Sequence, residues 1–288
     1  MNPNFLDVSI IIPAFNEEEA IFNVVKDLKV NLPKTEIIVV NDGSTDKTSS
    51  KIQDLDIKII NHPYRLGYGA SLRSGTEQST KKYVLFCDAD GQHRTKDVIK
   101  LIEKCENYDM VIGSRNKNSF RQMNRLLGKA ALRWLANFLM GMKIPDLNSG
   151  LRIVKKNILE QYIHLTPHGF SFSTTCTFAF IKDRRLVNWV PIKTNKRIGK
   201  SSVNQIKDGA STFLLLIRLS ILFEPLKIFL FATSILFLLT ILSFLMTIYY
   251  SNEFNVTDTS VILGLGSLIV FLTGLLCDQV SAMRRKKS

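Results

Sequence analysis

The chain is poor in the residues that would mark a disulfide scaffold or a zinc protein. Its 288 residues hold four cysteines, Cys87, Cys105, Cys176 and Cys277, widely separated and never in a Cys-x-x-Cys pair. Neither a disulfide framework nor a thiolate metal site is indicated, and reduced, mostly buried thiols are expected. Residues 1–7 lack the basic stretch and apolar run of a secretion signal, which predicts a first domain that stays in the cytosol. There is no internal repeat, no low-complexity tract and no RNA- or DNA-binding signature, so nucleic acid is not an expected partner. Lys and Arg are absent from residues 250–259, between two long apolar runs.

What is present divides the chain in two. The apolar content of 45% is far too high for a disordered protein. It is concentrated at the end, because residues 213–280 are mostly apolar whereas residues 1–210 mix charge and hydrophobe as soluble domains do. The net charge of +13 asks for an anionic partner. The basic run from Arg284 to Lys287 directly follows an apolar segment, a placement that favours lipid headgroups.

Residues 226–249 and 260–280 each reach the length of about 20 residues needed to cross a hydrocarbon core. The linker between them holds Glu253 and Asp258 but no cation, while basic residues precede the first run and follow the second. The positive-inside rule then predicts two transmembrane helices, a short external loop at 250–259 and a basic cytosolic tail at 281–288, with both termini cytosolic. Residues 211–225 read as a helix at the membrane interface, with a buried core helix as the rival reading. Asp278, near the end of the second run, belongs at headgroup depth. The hairpin either packs alone or pairs with copies of itself in a homo-oligomer.

Over residues 1–210, strand-like runs at 8–12, 36–40, 57–60, 83–87 and 110–112 alternate with helix-like stretches at 17–30, 69–79 and 96–105, with a further helix opening near Thr45. Such alternation predicts an α/β domain, a mainly parallel sheet with helices on both faces. Residues 124–140 have helical periodicity, 187–192 are strand-like, and the basic segment 194–205 reads as a loop.

Polar residues gather where strands stop. The first strand ends in Pro13-Ala14-Phe15-Asn16-Glu17-Glu18 and the second in Asn41-Asp42-Gly43-Ser44-Thr45-Asp46. In open α/β sheets ligands bind beyond the carboxyl ends of the strands, so Glu17 and Asp42 are placed to meet one ligand; turn and helix-cap chemistry explains the same residues about as well. The stronger signal is Tyr83-Val84-Leu85-Phe86-Cys87-Asp88-Ala89-Asp90-Gly91-Gln92-His93. A buried strand runs into two carboxylates one small residue apart, a pattern suited to a hard divalent cation such as Mg²⁺ or Mn²⁺ on a nucleotide diphosphate. The competing reading is a pair of turn-forming aspartates. His93 fits a structural place beside them better than a ligand's.

Taken in order, residues 13–18, 41–46, 61–75 with Leu66-Gly67-Tyr68-Gly69-Ala70, 88–93, Gly113-Ser114-Arg115 and 146–152 resemble the motifs of family 2 glycosyltransferases. More narrowly, the chain is similar to the dolichyl- and polyprenyl-phosphate sugar synthases, the branch that includes dolichol-phosphate mannose synthase and its bacterial counterparts. The resemblance implies a GT-A, Rossmann-like fold. It implies that Pro13, Ala14, Phe15, Glu17 and Asp42 hold the nucleotide, that Asp88 and Ala89 flank the donor, and that Asp88, Asp90 and Gln92 arrange Mg²⁺ or Mn²⁺ on the diphosphate. Asp90 and Arg115 would carry catalysis, and Arg115 with Arg125, for which Arg121 or Arg133 are substitutes, would meet phosphates.

One departure bears on the acceptor. Several relatives carry a carboxylate in the segment 169–176, where this chain has only hydroxyls and a thiol. Transfer to a sugar hydroxyl needs a base, but a phosphate monoester, with its second pKa near about 6, is already mostly ionised at neutral pH. A polyprenyl phosphate acceptor is therefore expected, although Asp90 or Asp146 stand available as bases. Lys193, Lys196, Arg197 and Lys200, around Gly199, are placed to receive that phosphate or to attract anionic headgroups. The expected activity is metal-dependent, inverting transfer of a glucose- or mannose-type sugar from a UDP- or GDP-linked donor. The rivals are a family 2 transferase acting on a glycan or lipid hydroxyl, a nucleotidyltransferase of similar fold, and a non-catalytic membrane scaffold.

Overall fold

The computed structural model describes residues 5–115, 137–166, 171–198, 205–251 and 256–285. By internal contacts the chain separates into two compact units, Met1–Leu215 and Leu216–Ser288.

The first unit is built on a seven-stranded sheet: β1 (Val8–Ala14), β2 (Glu36–Asn41), β3 (Lys58–Asn61), β4 (Tyr83–Phe86), β5 (Met110–Arg115), β6 (Arg152–Lys155) and β7 (Val187–Ile192), in the order β3-β2-β1-β4-β6-β5-β7. Pairing is parallel for β1 with β2 and β4, for β2 with β3 and for β5 with β7, while β6 runs antiparallel to both β4 and β5. The central strands are uniformly apolar because both faces are covered: every residue of β4 is buried, as is nearly all of β1, the pattern of a doubly covered sheet. Alternate residues of β1 show the two layers. Ile10 and Ile12 join one core cluster with Ile21 and Val25 of α1 (Ile21–Asn31) and with Val98 and Leu101 of α3 (Thr95–Ile102). Ile11 points the other way, against Gly75 of α2 (Tyr68–Gln78), where a Cβ would lie 2.4 Å from the Ile11 side chain. The expected alternation of strands and helices is thus realised, and β7 occupies the expected 187–192.

The helix expected to open near Thr45 does not form. Residues 42–57 make a succession of bends and turns instead. Asp46 accepts hydrogen bonds from the Thr48 amide and hydroxyl and from the Glu18 amide, so local side-chain bonding competes with the helical ladder. Ile52, fully buried, anchors the segment on the core. The described residues also include two shorter helices, α4 (Lys156–Tyr162) and α5 (Phe172–Lys182); the ring of Phe172 meets Phe86 edge-on at 5.5 Å. Of the helix expected over 124–140, all but 137–140, which are helical, lies outside the described residues.

Three longer helices follow: α6 (Gln205–Phe223), α7 (Pro225–Ser251) and α8 (Asp258–Arg285). Pro225 fits the first position of a helix, where its missing N–H costs nothing. Within the second unit α7 and α8 form an antiparallel hairpin, with the Ser243 and Ser260 hydroxyls 2.9 Å apart at one end and Gly274 against Phe229 at the other, and Ser281 of α8 donates to the carbonyl of Leu222, in α6, at 2.8 Å. Gly274 lets the Phe229 side chain approach so closely that an added Cβ would lie 2.4 Å from the Phe229 Cβ. Pro225–Tyr250 and Asp258–Met283 are long and apolar enough to cross a membrane. Their outward apolar surface, with Leu238 at 65% and Leu276 at 68% exposure, has the character of a lipid-facing or partner-facing surface.

Candidate active site

The strand order fixes where a ligand can sit. From β1 the chain runs outward through β2 to β3, whereas β4 lies on the other side of β1, so the crevice between the carboxyl ends of β1 and β4 is a topological switch point. Glu17 follows β1, and Asp88 and Asp90 follow β4.

The loops after β1 and β2 clasp each other. Asn16 takes a left-handed backbone at φ 53°, a conformation asparagine tolerates. Its side-chain oxygen accepts from the Thr45 amide at 2.9 Å, its own amide donates to Ser44 Oγ at 3.0 Å, and the Glu17 amide donates to Thr48 Oγ1 at 2.9 Å. Asp42 is buried, and its carboxylate meets His62 Nδ1 at 2.8 Å and accepts from the Leu66 and Gly67 amides at 2.8 and 2.9 Å. It thereby shapes the 62–67 loop, and His62 Nε2 continues to Ser74 Oγ at 3.0 Å. That loop places the Arg65 guanidinium 4.1 Å from the centre of the Phe15 ring, a stacked pair beside the switch point.

Asp88 and Asp90 differ in surroundings. Asp88 accepts from Tyr68 Oη at 3.0 Å and meets His93 Nε2 at 3.1 Å. Burial works to raise its pKa, but His93, Tyr68 and Arg115 outweigh it and hold the carboxyl below its usual range. Asp90 goes the other way, pushed up by burial and then by the charge of Asp88. Its carboxylate accepts from the Gln92 amide at 3.1 Å. Glu17 is pushed up to about 7, chiefly by burial, with Asp90 and Asp88 adding to the shift and Arg197 opposing it. Arg197 reaches into this cluster, 2.5 Å from Glu17 and 3.5 Å from Asp90. Its segment is tied down by backbone bonds from Ile198 to the Asp90 carbonyl and from Asn195 to the Gln92 carbonyl.

Arg115, at the end of β5, forms a two-pronged pair with Asp146, 2.7 Å from Nε and 2.9 Å from Nη2. The hydrogen bonds that Arg115 donates to Asp146 raise the arginine pKa, and Arg115 overcomes the effect of burial to lower that of Asp146. Two residues on, Asn148 accepts from the Thr174 hydroxyl at 2.8 Å.

The structure therefore brings Glu17, Asp88, Asp90 and Arg197 into electrostatic contact. Ala14 and Ala89 are buried backbone-packing positions, Pro13 and Gln92 are half-buried, and Phe15 stacks with Arg65. Arg125 and Lys200, as well as Arg121 and Arg133, lie outside the described residues. Sequence reasoning gave no role to Tyr68, His62 or Arg65. Tyr68 and His62 lie inside the 61–75 motif, but nothing in the spacing tells which side chains of that run turn toward Asp88 or Asp42.

Among the described residues no group of three or more His, Cys, Asp or Glu side chains is arranged to hold a metal ion. The oxygen donors at hand are Asp88 and Asp90, with Gln92 two residues further along the same loop. Two carboxylates completed by substrate phosphate and water oxygens are a normal Mg²⁺ arrangement. Arg197 is drawn in between Glu17 and Asp90, and Asp90, raised first by burial and then by the charge of Asp88, gains from positive charge at this spot. A hard divalent cation fits.

Comparisons with known proteins identify the fold and the family. The chain is 30% identical over 219 residues to the UDP-N-acetylglucosamine–dolichyl-phosphate N-acetylglucosaminyltransferase of Methanococcus voltae, covering 65% of this chain and 85% of the relative. It is 27% identical over 220 residues to the polyprenol monophosphomannose synthase of Mycolicibacterium smegmatis, covering 69% and 83%. In fold it is similar to glucosyl-3-phosphoglycerate synthase from Mycobacterium tuberculosis, crystallised with Mn²⁺, UDP and phosphoglyceric acid, with a TM-score of 0.61 at 18% identity over 74% of this chain and 78% of the other. The first unit is a GT-A fold. Residues 224–283 match the GtrB C-terminal hairpin, which with the two long apolar helices associates this part of the chain with a membrane. Residues 9–163 match the profile described as Glycosyl transferase family 2, and the chain is a member of that family of glycosyltransferases, related to the dolichyl- and polyprenyl-phosphate sugar transferases.

Proposed function

We propose that this enzyme transfers one sugar, of glucose or mannose type, from a UDP- or GDP-linked donor to a polyprenyl or dolichyl phosphate at the cytosolic face of a membrane, with inversion at the anomeric carbon. The observation that carries this reading is the carboxylate pair Asp88 and Asp90 at the switch point, with Glu17 and the Arg115–Asp146 pair within electrostatic reach. In this reading Pro13, Ala14, Phe15, Glu17 and Asp42 form the nucleotide end, and Asp88, Asp90 and Gln92 hold Mg²⁺ or Mn²⁺. The cation supplies charge neutralisation on the diphosphate. Arg115 keeps guanidinium N–H groups beyond those given to Asp146 and directs them at phosphate oxygens, preorganised by that ion pair. Arg197 exchanges its carboxylate partners for the acceptor phosphate, with Arg125 and Lys200 as further phosphate contacts.

Acceptor chemistry follows from the bases on offer. Asp146 is tied to Arg115 and its pKa is lowered, so it is a poor proton acceptor, and the described first turns of α5 carry hydroxyls rather than carboxylates. An acceptor that arrives already ionised needs no base. Residues 1–210 are the transferase domain and 211–225 an interface helix. Residues 226–249 and 260–280 cross the bilayer, joined by the external loop 250–259 and followed by the cytosolic tail 281–288; the hairpin keeps the enzyme in the membrane that carries the acceptor.

The test is a donor panel with detergent-solubilised polyprenyl phosphate. The expected product is radiolabelled, acid-labile lipid-linked sugar, and Asp90→Ala lowers turnover at least about a hundredfold with expression and membrane insertion intact. Label appearing only in acid-stable glycan would refute the acceptor, and unchanged turnover in Asp90→Ala would refute the metal site.

A further inference from the structure

Arg152 of β6 is fully buried and heads the largest side chains that are so enclosed. It sits in mid-sheet, paired with Phe86 of β4 and Ile112 of β5. A guanidinium taken out of water ordinarily faces a carboxylate, since burying an unpaired charge is costly. Here the hydrogen bonds go to neutral oxygens: the Ser149 carbonyl at 2.6 Å, the Ser173 carbonyl at 2.8 Å and the Thr177 hydroxyl at 3.1 Å. Its Nε has no partner. Neutral donors would serve those oxygens equally well, so the formal charge calls for a separate explanation.

The register supplies one. Phe86 is opposite Arg152 on antiparallel strands, so Asp88, two residues past Phe86, comes opposite Gly150, two residues before Arg152. The two do meet: a Cβ on Gly150 would lie 2.4 Å from Asp88 Oδ2. By bonding the Ser149 carbonyl and α5 together, Arg152 fixes the turn that backs the Asp88 carboxylate and carries Asn148 against Thr174. Burial pulls the guanidinium pKa down, while Cys176, Tyr68, Asp146 and Asp88 act to restore it, so the charge is within electrostatic reach of the carboxylates around the site.

We propose that Arg152 serves the transfer site through its charge, a fixed buried positive charge behind the Ser149–Gly150 turn that balances the site's carboxylates so that an anionic nucleotide diphosphate can enter. This rests on the transferase reading above, but its test does not require turnover. In full-length chain in detergent, Mn²⁺ alone is titrated by electron paramagnetic resonance, and UDP and GDP are titrated without metal by calorimetry. Arg152→Gln tightens Mn²⁺ binding roughly a hundredfold, the scale of one charge lost near a divalent cation at an effective dielectric of about 20, and weakens the nucleotides by a similar factor. Arg152→Lys keeps both affinities near those of the unaltered chain. Where sugar transfer is measured, Arg152→Gln lowers kcat more than it changes the donor KM. A merely structural role moves both affinities down together. That result, or no change in either, overturns the proposal, whereas lack of sugar transfer by the unaltered chain overturns the transferase reading alone. Should Arg152→Gln not fold, Arg152→Lys decides: Mn²⁺ affinity retained supports the charge, and Mn²⁺ affinity lost refutes it.

Discussion

Replacing Gly150 by alanine adds a single methyl group at the back of the Asp88 carboxylate. The new Cβ would stand 2.4 Å from Oδ2 and 3.0 Å from both Cγ and Oδ1, against an ordinary contact of 3.4 Å or more. Relief requires the carboxylate or the 146–151 turn to move by about 1 Å, a displacement that costs on the order of a hundredfold in rate when it falls on a group holding the reacting centre. The alternative, loosening Asp88 from Tyr68 and His93, sacrifices hydrogen bonds of about 1–3 kcal/mol each to a charged group. Gly150 is not among the described glycines with positive φ, so alanine is conformationally acceptable there, and any lost activity is local rather than a failure to fold. The expectation is a kcat reduced about a hundredfold, with weakened Mn²⁺ binding and a thermal midpoint little changed, measured by lipid-linked product formation, paramagnetic titration and melting in detergent. A Gly150→Ala chain with ordinary turnover and ordinary Mn²⁺ affinity would refute the claim that this contact sets the Asp88 position.

Two further outcomes follow from the same geometry. Glu17, lifted from 4.5 to about 7 in the folded chain, binds a proton more tightly folded than unfolded; its contribution to stability is complete below about pH 4.5 and is lost as pH rises through about 7. With screening it amounts to roughly 1–2 kcal/mol, so Glu17→Gln flattens the fall in melting temperature across that window, and parallel curves for the two chains would contradict it. Asp42→Ala strands the His62 ring and the Leu66 and Gly67 amides, at a cost of about 2–4 kcal/mol. It also disturbs the Arg65–Phe15 stack, so nucleotide affinity and melting temperature should drop together, and an unchanged melting temperature would show that the loop holds its shape without this carboxylate.

Much of the architecture was legible in the order of residues because burial on both faces writes itself as continuous apolar runs. The strands near 8–12, 36–40 and 83–87 can be read this way, and the chain reversals after them from Asn, Asp and Gly. The helix expected to open near Thr45 is absent because the Thr48 amide and hydroxyl bond the Asp46 carboxylate, a competition that periodicity does not register.

By itself the sequence determined the α/β character of the first unit, the two long apolar helices of the second and the presence of acidic residues where strands end, since each depends on local composition and period. Only the tertiary structure decided which of those residues share one crevice. The strand order β3-β2-β1-β4 juxtaposes Glu17 with Asp88 and Asp90, and the antiparallel return of β6 sets Gly150 against Asp88 and buries Arg152 beneath it. Contacts between residues so far apart along the chain arise from sheet topology and packing, which no local pattern encodes.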